Sequence, residues 1–270
     1  MAPDPRSLAA LGLTRDPVAY PLTYPGRLPA ESGLLDGDRF LALRERTGAF
    51  PGGWALDAAT TLDDLLRSRG APPLADRHPI LAVGSNGSPA QLRRKLAGHA
   101  SVLLPLTYAT VRGLVCGVSA HVSGPGYVPA APVRVGGATG RLVVLWPDDA
   151  QLSVIDATEP NYHLLPLPGT VTVSLDGGAP LAGCRLYAGR HGCLVDRDGD
   201  PFHLTGQAEL LTALLADLPG LGRLTGARDP GEFAARARRD PGLRERIRVL
   251  WRREGRVLEQ PELSRKETPS

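Results

Sequence analysis

Six small or polar residues in a row, Gly84-Ser85-Asn86-Gly87-Ser88-Pro89, separate an apolar run over residues 80–83 from a stretch of helical character. A strand that ends in such a loop and gives way to a capped helix turns several backbone N–H groups toward one point. The helix dipole adds partial positive charge there. The loop has the make-up of a cradle for a carboxylate or an oxyanion. The same residues are also good turn formers, so the loop by itself leaves both readings open. It is not a nucleotide loop, because no Lys-Ser/Thr pair heads the helix and Lys95 lies too far along.

Glu159 stands before Pro160, which biases its backbone to an extended shape and ends the preceding helix, so the carboxylate can leave the helix terminus toward the sheet. Taken alone it reads as a surface loop acid, and the loop beside it raises the functional reading. Tyr162 suits a half-buried strand position with its hydroxyl at the rim, or a hydrogen bond to a ligand. Ser119 and His121 alternate on one strand and face one side; they are candidate pocket groups, with a satisfied core histidine as the other reading. Other combinations fall away. Asp196 to Asp200 has its glycine at the fourth position of a would-be calcium loop and Gln207 at the twelfth. His191 and Cys193 lack partners at zinc spacing, and no Gly-x-Ser-x-Gly elbow is present. No metal and no cofactor are expected.

The elements that would position these groups fall into three segments. Residues 1–77 read as a proline-rich irregular arm over 1–30, where no chemistry is expected, followed by short helices over 36–46 and 60–69, the latter capped by Thr61. Residues 78–204 read as a core of β-rich segments, 80–83, 102–108, 111–122, 141–146, 162–167, 170–175 and 184–195. Two helices interrupt it, one from Ser88-Pro89 to about Leu96 and one over 148–155. Residues 205–270 read as a helical extension: helices at 207–218, 230–238 and 241–253, a glycine-rich break before the second, and a charged last dozen residues that should fray. A strand, a polar loop, a helix and then many short strands describe an α+β fold built as a small mixed β-barrel with flanking helices.

The 270 residues are 42% apolar and 22% charged with a formal net charge of +3. That is ordinary globular composition, and the arginines are too dispersed to argue for nucleic acid. The N-terminus lacks an export signal and no run is long enough to span a membrane. Three cysteines without CxxC spacing read as free thiols of a reducing, cytoplasmic compartment.

Two blocks together resemble the γ-glutamylcyclotransferase-like family. The first is Ile80-Leu81-Ala82-Val83-Gly84-Ser85-Asn86 before a helix, similar to that family's Tyr-Gly-Ser-Asn signature. The second is Gly140-Arg141-Leu142-Val143-Val144-Leu145-Trp146, a short helix, then Asp156-Ala157-Thr158-Glu159-Pro160-Asn161-Tyr162, similar to its Leu-Asp-x-x-Glu segment and following tyrosine. The likeness covers roughly residues 78–195. Val83 departs from the usual tyrosine and removes a hydroxyl. The resemblance implies a metal-independent enzyme acting on a γ-glutamyl or related amide-linked amino acid, with Glu159 as proton carrier. The substrate would contact Val83, Gly84, Ser85, Asn86, Ser119, His121 and Tyr162, and the products would be an amine and 5-oxoproline. A non-catalytic small-molecule-binding or interaction protein on the same fold is the alternative. If Glu159 is a pocket carboxylate kept for chemistry, Glu159→Gln should leave folding nearly unchanged.

Overall fold

A computed structural model describes residues 4–99 and 102–263; of the charged tail expected to fray, residues 264–270 lie outside this set. The centre is a sheet of eight strands, β1 (Gly33–Asp36), β2 (Arg39–Ala42), β3 (Ile80–Ala82), β4 (Leu103–Val118), β5 (Ala130–Leu145), β6 (Tyr162–Pro166), β7 (Thr172–Leu175) and β8 (Arg185–Gly189), with the path β2-β1-β4-β5-β3-β8-β6 and β7 attached to β4. Strands β4 (Leu103–Val118) and β5 (Ala130–Leu145), sixteen residues each, form a hairpin whose register shifts between Arg112 and Leu114. Gly113, at φ +86, takes the backbone conformation of that irregularity. The short strand β3 (Ile80–Ala82) is buried throughout. It lies between β5, antiparallel, and β8 (Arg185–Gly189), parallel, as expected for an apolar run enclosed on both sides. Strand β6 (Tyr162–Pro166) closes that side by pairing with β8.

The α+β class stands, but the sheet is not closed into a barrel, as the sequence had suggested. The reason lies in β4. It is long enough to hold two partners in succession on one edge: β1 (Gly33–Asp36) against residues 103–106 and β7 (Thr172–Leu175) against 109–112. Added strands therefore extend the sheet along β4 and leave β2 and β6 as separate ends. The helix expected over 36–46 is also replaced, by the hairpin of β1 and β2 (Arg39–Ala42). Asp36-Gly37 is a hairpin signal, and Gly37 at φ +58 supplies the left-handed residue that a two-residue loop requires. That turn chemistry outweighs a helical periodicity only eleven residues long. The capping box of Thr61 and Asp64 does start helix α1 (Leu62–Ser68).

Past the sheet come β9 (Cys193–Leu194) and four helices, α4 (Gln207–Asp217), α5 (Pro219–Thr225), α6 (Pro230–Arg239) and α7 (Pro241–Arg253). Helix α5 occupies the stretch read as a glycine-rich break; Pro219 presets its first turn, and Gly220 and Gly222 are carried inside it. The apolar faces of these helices meet the far end of β4 in one cluster that includes Val118, Leu211, Leu214, Phe233, Ile247 and Trp251. The three cysteines form no disulfide. Among the described residues no helix is long and apolar enough to cross a membrane.

Candidate functional site

Where β3 ends, residues 85–87 make one tight turn and lead into helix α2 (Pro89–Lys95). Ser88 stands at the N-cap position but makes no capping bond, and among the described residues its buried hydroxyl has no partner; Pro89, with its preset backbone, starts the helix instead. On the other side of the site, Asp148 and Gln151 form a capping box at the start of helix α3 (Asp149–Ala157), which ends two residues before Glu159. The two segments, 73 residues apart, meet through a hydrogen bond from Asn86 Nδ2 to Glu159 Oε1, 2.9 Å.

A third group joins them. Lys95 Nζ donates to Asn86 Oδ1 at 2.8 Å and to Glu159 Oε1 at 2.5 Å. Side chains on a helix tilt toward its N-terminus, so a lysine in the last turn of α2 can reach back over the loop it follows. The Lys95 side chain is 2% exposed and that of Glu159 14%. This is a desolvated ion pair, in which burial pulls the Lys95 ammonium below its ordinary range and Glu159 pulls it back up. Both donors converge on Oε1, and among the described residues Oε2 accepts no hydrogen bond. One oxygen is anchored and the other is open.

Lys95 is the site residue that sequence reading passed over, because only a nucleotide role was asked of it. Gln91 and Lys95, one turn apart, both lie on the buried face of α2.

Val83, Gly84, Ser85, Asn86, His121, Glu159 and Tyr162 all lie against one cavity of about 310 Å³. Ser119 does not. It sits fully buried behind the wall, with its hydroxyl 2.7 Å from His121 Nδ1. Tyr162 presents its ring, but its hydroxyl hydrogen is already given to the Ala130 carbonyl at 2.8 Å. The proline-rich arm, from which no chemistry was expected, contributes Tyr24 to the same wall. Gly84 makes room for it: a methyl group there would lie 2.5 Å from the Tyr24 hydroxyl and 2.8 Å from the Ala130 methyl. Gly84→Ala should therefore cost about 1–3 kcal/mol by overpacking. It should also raise protease sensitivity around residue 24, read by urea unfolding and limited proteolysis.

Burial pushes the His121 imidazole down to about 3, with His191 and Arg248 adding to the effect. The folded state thus holds this ring neutral while the unfolded chain binds a proton near pH 6.5. Stability from this group is complete above that pH and is lost as pH falls, at about 1.4 kcal/mol per pH unit. Between pH 7 and pH 5 the loss should be about 2 kcal/mol. Urea midpoints at the two pH values measure it, and His121→Gln should flatten the dependence.

Among the described residues no group of three His, Cys, Asp or Glu side chains is placed to hold a metal ion. Compared with protein-family models, with curated proteins and with solved structures, the chain matches none.

Proposed function

We propose that this chain is a cytosolic enzyme of the γ-glutamylcyclotransferase-like kind, acting on a γ-glutamyl or related amide-linked amino acid. The observation that carries the reading is a buried carboxylate, Glu159, fixed through one oxygen beside the Gly84–Asn86 loop and open at the other. Ring closure needs a group that accepts a proton from the substrate's ammonium and returns it to the departing nitrogen, together with donors for the carbonyl oxygen. Glu159 Oε2 takes the proton. The freed amine lone pair forms the new C–N bond, and the carbonyl π pair moves onto oxygen. That pair then returns, the bond to the leaving amine breaks and Glu159 gives its proton to that amine; the regenerated carboxylate takes the second proton from the ring nitrogen, leaving the neutral lactam, and passes it to the free amine, which departs as an ammonium. The nucleophile belongs to the substrate, so the cavity's task is to fold it into reach.

One observation favours a second reading. An ammonium already holds Glu159 Oε1 at 2.5 Å, as a lasting ion pair of the folded protein would. The pair would then be a permanent recognition element for a zwitterionic ligand, without turnover. The two readings part on one assay: a panel of γ-glutamyl amides and dipeptides, followed by 5-oxoproline release and by ligand-induced thermal shift. Release supports the enzyme, and a thermal shift without release supports the binding protein.

A further inference from the structure

The N-terminal arm is fastened around the cavity at several points. Arg94 on α2 pairs with Asp16 at 2.9 Å, and the Tyr24 carbonyl accepts from the backbone N–H of Gln207 at the head of α4, 3.2 Å. The Tyr108 hydroxyl donates to the Pro29 carbonyl at 2.6 Å. Between these ties the Tyr24 ring stacks on Tyr127, with centroids 4.2 Å apart and planes 17° apart. Its residue exposure is 4%.

The peptide group of Ala130 sorts the phenols of the wall. Its carbonyl takes the hydroxyl hydrogen of Tyr162, and its N–H donates to the Tyr24 oxygen at 2.8 Å. The Tyr162 hydrogen is committed. The Tyr24 oxygen acts as acceptor, and among the described residues no acceptor takes its hydrogen. A buried hydroxyl hydrogen calls for an acceptor, and this one lies at the cavity wall beside Gly84. Burial also pushes the Tyr24 phenol well above its ordinary range, so the group keeps its hydrogen while donating it.

We propose that Tyr24 is a catalytic residue of this site: its hydroxyl donates a hydrogen bond to the substrate carbonyl oxygen as that oxygen gains charge, beside the backbone amides of the Gly84–Asn86 loop. The proposal rests on the cyclotransfer reading and adds to it a donor from outside the strand-loop-helix unit. No proton is transferred to or from Tyr24; the proton in play travels by way of Glu159.

The test is Tyr24→Phe, which keeps the ring and its stacking. A donor that acts in the transition state should lower kcat on the order of 10²-fold while KM stays within about threefold. Loss of the Ala130 N–H partner will lower the melting temperature, but a purely structural role does not produce that split. Near-UV circular dichroism checks the fold. If the variant does not fold, wild-type protein carrying ¹³Cζ-tyrosine gives the second reading: the Tyr24 resonance should shift on addition of 5-oxoproline. Unchanged kcat in folded Tyr24→Phe, a raised KM alone, or an unmoved Tyr24 resonance while Tyr127 shifts would overturn the proposal and leave Glu159 in place. Binding without turnover in wild type, with the Tyr24 resonance shifted, would reject the cyclotransfer reading and keep Tyr24 as the ligand's hydrogen-bond donor. A wild type that neither binds nor turns over any compound of the panel would overturn both.

Discussion

Glu159→Gln is expected to destabilise the protein by about 3 kcal/mol, the scale for leaving one member of a buried ion pair uncompensated. Sequence alone argued the opposite, because a pocket carboxylate and its amide fill the same space. The difference is Lys95. Its side chain is 2% exposed, its partners among the described residues are Asn86 and Glu159, and Glu159 is the influence that opposes the downward pull of burial on its ammonium. In the variant burial and the neighbouring Arg94 charge remain, both pulling downward, so Lys95 can hold its proton at a cost or release it. Since the unfolded chain then binds more protons than the folded one, the variant's stability should rise with pH more steeply than that of wild type. Urea unfolding at pH 6, 7.5 and 9 measures this. A second substitution, Lys95→Met, should restore most of the loss by removing the stranded charge while keeping the apolar stem. If Glu159→Gln and wild type unfold together at every pH, the buried pair is not what holds the loop to Glu159.

The second large effect is on turnover. A proton carrier in position contributes on the order of 10²- to 10⁴-fold, and neither glutamine nor the Lys95→Met/Glu159→Gln pair can carry a proton at neutral pH. The double variant is the better instrument. It separates chemistry from folding, which the single variant confounds. Lys95→Met alone has a different expected result. Without the ammonium, the Glu159 carboxylate loses one of its two anchors at Oε1 and keeps only the Asn86 bond there. Turnover should therefore fall by less than in the double variant, read from 5-oxoproline release at saturating substrate.

What the sequence disclosed followed how locally each feature is encoded. Strand β3, the turn after it, the Pro89 helix start and the helix that follows Pro147 are written in adjacent residues, and they emerged where expected. The convergence of the loop and Glu159 on one cavity comes from the β3–β5 pairing of residues 80–82 with 143–145, which sets the ends of two distant segments side by side. The hairpin β1–β2 was misread because eleven residues fit a helical period about as well as an alternating one, and the Asp-Gly turn was the better guide. The first half of β5 was missed because Gly136, Gly137 and Gly140 weaken the strand signal, whereas its long partner β4 supplies the pairing. Lys95 and Tyr24 were out of reach for a different reason. Each is a site residue through a contact made across the fold, Lys95 to Glu159 and Tyr24 to Ala130, and nothing in its own neighbourhood encodes that contact.

The central claim, that Glu159 carries the proton in a cyclising acyl transfer, is tested most directly by 5-oxoproline release from a γ-glutamyl amide at saturating substrate. Wild type is compared with the Lys95→Met/Glu159→Gln protein, both shown to be folded and to bind the amide by thermal shift. The account predicts release by wild type and a loss of at least about 10²-fold in the double variant. Equal release from the two proteins would contradict it.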